Sequence, residues 1–429
     1  MPSNPSLMTN QNVPMRLRSR LSLALLSFRT MAWLSASRSR LLACALLSLA
    51  ALTMAMQWRH GIDREGMPNG RDYACFWAAA RLALAGQGAA AYDPHLLADS
   101  EQAIYRSDAY EGFFYPPVFL MLCVPFAVLP YFASLAAFLG ATGTAYFAAL
   151  LRAGRSAWLA AAAFAFPAAI ANLQAGQNGM LTAALLGGGL SVMDRRPRLA
   201  GLILGCMVIK PHLALAVPLA LLISRRWVVL LHAALSGAIL LTVSSLSLGW
   251  DIWPAFEHAS SQARAWLEQG AADPDNRFLS VFALVRRQGG MLGLAYGLQL
   301  LSAAGVAFAL ERALRRRLSP ALEKALIVLA TLLLTPFLWP YDLSVLAFPL
   351  AWLAAEWSAW EFPPWGKLVL GLGFALPLPA MLTPGYMGLT LLGLLVIAGY
   401  VFRVAMRLSG RGMAESLAAD NMLTAPRSS

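Results

Sequence analysis

Residues 195–248 read RRPRLAGLILGCMVIKPHLALAVPLALLISRRWVVLLHAALSGAILLTVSSLSL. Three apolar runs, 198–209, 211–223 and 226–248, follow one another between arginines: Arg195, Arg196 and Arg198 ahead of the first, Arg225 and Arg226 at the join of the last two. Runs this apolar offer water no polar face, and about 20 helical residues cross a hydrocarbon core of about 30 Å. The third run is a full crossing. The first two read as a hairpin of short helices with its arginine-marked ends in the cytoplasm. Its tip, Lys210-Pro211-His212, then lies near the outer face.

The rest of the chain extends this pattern. Of 429 residues, 59% are apolar and 13% charged, and the mean hydropathy is +0.60. Soluble proteins carry about 25% charged residues, so a soluble enzyme, a disordered chain and a disulfide scaffold are excluded. The 33 basic residues outnumber the 21 acidic ones, and Lys210, Lys324 and Lys367 are the only lysines. No basic face is interleaved with aromatics as nucleic-acid binding would need; the arginines sit at the ends of apolar runs instead. Three of the four cysteines lie within apolar runs and none is paired as Cys-x-x-Cys, so neither a disulfide framework nor a zinc site is expected.

The topology follows from charge. Residues 1–40 carry six arginines and no acid, which marks a cytoplasmic tail. The first crossing is 41–58; the many later apolar segments argue against a cleaved signal. Residues 59–115 hold 5 basic and 8 acidic residues and form a first extracytoplasmic loop. Within it, 74–86 is too short to span and reads as an interfacial helix. A second outer loop is 249–289. The fold class is an all-α polytopic membrane protein of about 11–13 transmembrane helices over 41–405, followed by a cytoplasmic, irregular tail, 406–429. Thirteen segments cannot leave both termini inside, so one is re-entrant or half-length, and the Pro-bounded run 117–129 is the expected one.

Few polar groups interrupt the apolar pattern. Asp72, in GRDYACFW, is either a general base with a raised pKa or an N-cap. Tyr115 precedes a proline pair and lines a cavity or simply opens a helix. Gln177 and Asn178 sit in QAGQNG, where two amides can bond sugar hydroxyls and a glycine C-cap explains the turn equally well. Lys210 and His212 stand at a helix break inside apolar sequence, where a charge needs a partner or a ligand such as phosphate. Tyr341 and Asp342, in Trp339-Pro340-Tyr341-Asp342, interrupt another apolar stretch; Asp342 pairs with Lys210 or Arg277, orients substrate, or caps a helix. Arg277 is a polar group near the outer face. No His/Cys/acid cluster suggests a metal or other cofactor.

Taken in order, Asp-Tyr-x-x-Phe-Trp-x-Ala-Ala at 72–80, Tyr-Asp-Pro at 92–94, Tyr-Pro-Pro at 115–117, Gly-Gln-Asn-Gly at 176–179, Lys-Pro-His at 210–212 and Trp-Pro-Tyr-Asp at 339–342 resemble glycosyltransferase family 87. These are polytopic bacterial enzymes of the GT-C fold, including polyprenyl-phosphate-mannose-dependent mannosyltransferases. The resemblance covers roughly 41–405. It implies a hexose, typically mannose, moved from a polyprenyl-phosphate donor to a glycolipid or glycan acceptor at the outer face of the bacterial inner membrane, without a metal. It implies Asp72 as the base, and Lys210 and His212 near the donor phosphate. Where relatives carry an Asn-Gln-Ser run, this chain has Asn276-Arg277-Phe278-Leu279-Ser280, a departure whose arginine can bind an anionic acceptor or the donor phosphate. The competing class is a polytopic transporter or lipid flippase, with Lys210 and Asp342 as intramembrane sites.

Overall fold

Prolines cut the apolar sequence into helices of unequal length. The computed structural model describes residues 36–59, 61, 68–104, 111–270, 277–360 and 362–424, with only the backbone beyond Arg407. No β-strand occurs among them. In chain order the helices are α1 (Ala36–Trp58), α2 (Arg71–Leu84), α3 (Pro94–Glu101), α4 (Pro117–Ala127), α5 (Tyr131–Gly154), α6 (Ala157–Ala162), α7 (Pro167–Ala175), α8 (Gly179–Val192), α9 (Pro197–Gly205), α10 (Ala216–Ile223), α11 (Trp227–Leu248), α12 (Ile252–Gly270), α13 (Val281–Arg287), α14 (Leu292–Leu314), α15 (Pro320–Leu334), α16 (Ala347–Ala359), α17 (Gly366–Ala375), α18 (Leu378–Leu382) and α19 (Met387–Thr424). Helices α3, α4, α7, α9 and α15 each begin with proline. There its fixed φ suits the first turn, and its missing N–H has no helical acceptor to serve.

Helices α5, α11, α14 and the Met387–Arg407 part of α19 are long and apolar enough to cross a bilayer. Ala157–Ala165 and Pro167–Ala175 are long and apolar enough only when taken together, and are bent by 62° at their break, the form of a broken span or a re-entrant loop. The other apolar runs are helical but shorter: Arg40–Met56 within α1, α4, α8, both hairpin arms and Gly366–Leu382 are apolar helices of 10–17 residues. Apolar sequence thus marks the segments, and proline decides which are full crossings. The run 117–129 is α4, an apolar helix of 11 residues with Pro125 inside it, about half the length of a crossing; a second interruption, a sharp bend, lies at Phe166-Pro167. The expected tail 1–40 falls mostly outside the described residues. At the other end, the tail expected to be irregular from 406 is helical over the residues described: α19 continues to Thr424.

Two features place the site. First, α2 starts at Arg71 and buries Tyr73, Ala74, Phe76 and Ala78–Ala80 among side chains of α4 and α5. Phe76 meets Phe119 edge-on at 4.9 Å and Tyr115 at 5.1 Å, arrangements that the ring quadrupoles favour. The helix from the first loop therefore packs one face into its own protein, with Arg71, Arg81 and Leu84 left exposed. Second, α8, the α9–α10 hairpin and α15 are tied together at one end by charge. Arg226 reaches Asp194 at 2.9 Å and Glu323 at 3.0 Å, and Lys324 reaches Asp194 at 2.6 Å. Helix α8 has 14 residues and so rises about 21 Å from this end to Asn178 at the other. The hairpin's first arm, Pro197–Gly205 continued by the 3-10 turn Cys206–Ile209, rises about 20 Å to its tip, Lys210.

Candidate active site

The start of α2 fixes Asp72. Gly70 precedes the helix with φ +70°, and the Tyr131 hydroxyl donates to the carbonyls of Asn69 and Gly70, at 2.9 and 2.8 Å. Asp72 falls in the first turn, where the helix dipole favours a carboxylate, but its side chain caps nothing. Instead Oδ2 accepts a hydrogen bond from Nε2 of Gln177 at 3.0 Å. Its other oxygen, Oδ1, has no hydrogen-bond partner among the described residues. The N-cap alternative is thus not what forms. Burial and the neighbouring Glu111 carboxylate push the Asp72 carboxyl up to about 6; Gln177, Arg71 and Lys210 oppose them.

Gln177 reaches Asp72 because two glycines bracket it. Gly176 ends α7 with φ +73°, and a Cβ there would lie 2.7 Å from Cβ of Tyr73. A Cβ on Gly179 would lie 2.5 Å from the carbonyl oxygen of Tyr341. Only residues without a Cβ let Gln177-Asn178 fit between α2 and the 3-10 turn Pro340–Leu346. The C-cap reading is realised, since the glycine turns the chain, and the amide side chains on either side of the turn's midpoint face Asp72 and Lys210. Oε1 of Gln177 accepts from the Tyr115 hydroxyl at 3.1 Å and from the backbone N–H of Asn178 at 3.2 Å.

Lys210 sits at the hairpin tip between two short 3-10 turns. Its Nζ donates to Oδ1 of Asp342 at 2.6 Å and to Oδ1 of Asn178 at 3.2 Å. It also lies 4.8 Å from the Tyr341 ring centroid and 5.6 Å from that of Tyr115, within cation–π range. Oδ2 of Asp342 accepts from the N–H of Trp339 at 3.2 Å, capping its own turn. Both charges are almost wholly buried, so each requires the other. Of the three roles weighed for Asp342, pairing with Lys210 and capping both occur. Nε2 of His212, two residues on, is buried without a partner among the described residues, as is Nδ2 of Asn178.

Seven of the expected residues, Asp72, Tyr115, Gln177, Asn178, Lys210, Tyr341 and Asp342, thus form one connected cluster, with His212 beside it. Arg277 is exposed and makes no hydrogen bond to the cluster among the described residues; its neighbour Phe278 packs on Trp339 at 4.7 Å. The Trp339 and Tyr341 rings stack 6.0 Å apart. Sequence reasoning missed three charges. Arg71 and Glu111 pair beside Asp72, and Glu101 is fully buried, its Oε2 accepting from the Glu111 N–H at 3.0 Å. Burial pushes the Glu101 carboxyl up to about 8. Arg71 stands inside the quoted stretch GRDYACFW and Glu111 four residues before Tyr115, which was the available signal. No group of three metal-ligating side chains stands together among the described residues.

A half-buried carboxylate with one oxygen held and one open can accept a proton from an incoming hydroxyl. A family model described as Glycosyltransferase family 87 matches residues 113–336, just over half of the chain. Tyr115, Gln177, Asn178, Lys210, His212 and Arg277 lie within that match; Asp72, Tyr341 and Asp342 lie outside it. No curated protein and no solved structure matches the chain.

Proposed function

We propose, from the premise that the chain belongs to glycosyltransferase family 87 and is a membrane glycosyltransferase, that it moves a hexose, mannose in the first instance, from a polyprenyl-phosphate donor to an extracytoplasmic glycolipid or glycan acceptor. The observation that carries this reading is the open Oδ1 of Asp72 beside a cluster whose buried cation, Lys210, is reached from three separate parts of the chain.

The step is a single displacement. The acceptor hydroxyl oxygen bonds to the anomeric carbon as the bond from that carbon to the phosphate oxygen breaks. The electron pair leaves on the polyprenyl phosphate, and the hydroxyl proton passes to Asp72. One base suffices, and the anomeric configuration inverts. A polyprenyl phosphate is already a charged leaving group, and protein cations can stabilise the charge it gains; we place Lys210 and Arg277 toward that phosphate, with the neutral His212 imidazole beside them as a hydrogen-bond donor. Tyr115, Asn178, Tyr341 and Asp342 shape the sugar side. The donor's tail keeps it in the bilayer, so the site must open at the membrane surface. The ion pairs of Asp194, Arg226, Glu323 and Lys324 lie at the arginine-rich end, and the positive-inside rule puts that end in the cytoplasm. The Asp72 cluster is then at the outer face of a bacterial inner membrane.

The pairing of Lys210 with Asp342 accounts for both intramembrane charges without a transported substrate, which favours the enzyme over a flippase. The test uses membranes containing the full chain, radiolabelled polyprenyl-phosphate mannose and EDTA. Label passing into lipid or polymer supports a metal-independent transferase. Label crossing the membrane with no product supports the flippase and removes the proposal.

A further inference from the structure

We infer that Gln177 is a positioning residue that orients Asp72 and keeps it in the proton-accepting form, and is not a ligand of the sugar. This rests on the reading of Asp72 as the base.

The geometry leaves the Gln177 amide one orientation. Its Oε1 faces the backbone N–H of Asn178 at 3.2 Å, an obligate donor, and the Tyr115 hydroxyl at 3.1 Å. Its Nε2 faces a carboxylate oxygen of Asp72 at 3.0 Å. Turning the amide over would set an NH2 group against an N–H and a carbonyl against a carboxylate, two repulsive contacts in place of attractive ones. Oε1 is therefore filled by two donors, and one of the two Nε2 hydrogens is committed. With 6% of its surface exposed, Gln177 has little left with which to bind a hydroxyl.

The same fixed amide selects a charge state. A locked N–H donor bonds to the ionised carboxylate and gains nothing from a proton on that oxygen. It acts against burial and Glu111, which favour the protonated acid. The other groups facing Asp72 are Arg71 on its own helix, Lys210 on the hairpin tip, and the hydroxyls of Tyr115 and Tyr341, which carry no charge at neutral pH. Of all these, Gln177 alone hydrogen-bonds the Asp72 side chain among the described residues. Pinning Oδ2 also fixes the rotamer, so that Oδ1 is the oxygen presented to the acceptor.

Infrared titration of the purified full chain tests this without any substrate. The Asp72 carboxyl band is isolated by subtracting Asp72→Asn, and its midpoint is compared between wild type and Gln177→Leu. A charge-assisted hydrogen bond lost at this site raises the midpoint by about one pH unit. The isosteric Gln177→Glu, which sets a second carboxyl against the first, raises it further and serves if the leucine variant does not fold. An unmoved midpoint in both variants overturns the inference. In the transfer assay, the acid limb of kcat/KM is expected to move with the band; a raised KM for polyprenyl-phosphate mannose with an unmoved limb would make Gln177 a sugar ligand and also overturn it. Full transfer by Asp72→Asn would instead remove the base assignment and leave the titration result standing.

Discussion

At the scale of the residue, Asp72 carries two linked predictions. Its carboxyl is raised to about 6 from an ordinary 3.8, so its base form fills as pH rises through that range. Transfer is expected to climb tenfold per pH unit below about 6 and to level off above it, as a pH–rate profile will read. Stability runs the other way. A raised pKa means the folded chain holds this proton more tightly than the unfolded one. That contribution is complete below about pH 4 and lost as pH rises through about 6. Asp72→Asn cannot ionise, so in detergent it should melt at a higher temperature than wild type at pH 7.5. After solvent screening the gap is on the order of 1–2 kcal/mol, and it should close toward pH 4. A variant less stable than wild type at pH 7.5 would mean that the carboxylate is held by more than Gln177.

At the scale of the element, the hairpin tip and the Gly-Gln-Asn-Gly turn build the site. Lys210→Met leaves Asp342 buried without its cation, at a cost of about 3–5 kcal/mol. Replacing both partners, as Lys210→Met with Asp342→Leu, should return most of the lost thermal stability and none of the transfer. Recovery of transfer by the double variant would show that the pair only holds the fold. Gly176→Ala sets a Cβ 2.7 Å from Tyr73 in a left-handed backbone, and should lower the melting temperature and shift the acid limb through Gln177. Much of this was legible in sequence because charged and amide side chains are rare in apolar runs, so Lys210, Gln177, Asn178 and Asp342 stood out against leucine and alanine. Their partners were legible only in part: Lys210 with Asp342 stood as one alternative among several, and Gln177 with Asp72 was not foreseen. Which carboxylate Lys210 meets depends on the hairpin folding back to the 340–346 turn, 132 residues away, and no local pattern encodes that. Helix length was the other gap, because hydropathy reports apolar sequence and proline decides where it is cut. Arg71 and Glu111 read as ordinary loop charges until the fold set them beside Asp72.

At the scale of the whole molecule, the arrangement has two ends, with arginines and the ion pairs around Asp194 at one and the Asp72 cluster at the other. Sidedness is testable by labelling single cysteines in a background with Cys44, the exposed native thiol, replaced. Arg277→Cys should react with an impermeant maleimide in intact cells, and Arg316→Cys only after permeabilisation; the reverse pattern would put the cluster in the cytoplasm. Between these ends, Leu231, Leu246, Leu300 and Leu301 are among the exposed leucines of α11 and α14, two helices long and apolar enough to cross a bilayer. The central claim is that one carboxylate at the non-arginine end activates the acceptor. The measurement that tests it most directly is transfer from radiolabelled polyprenyl-phosphate mannose by Asp72→Asn beside wild type, in matched membranes with equal folded protein. Transfer reduced by about 10²–10⁴-fold is the result expected for loss of a general base, and transfer at the wild-type rate would contradict the account.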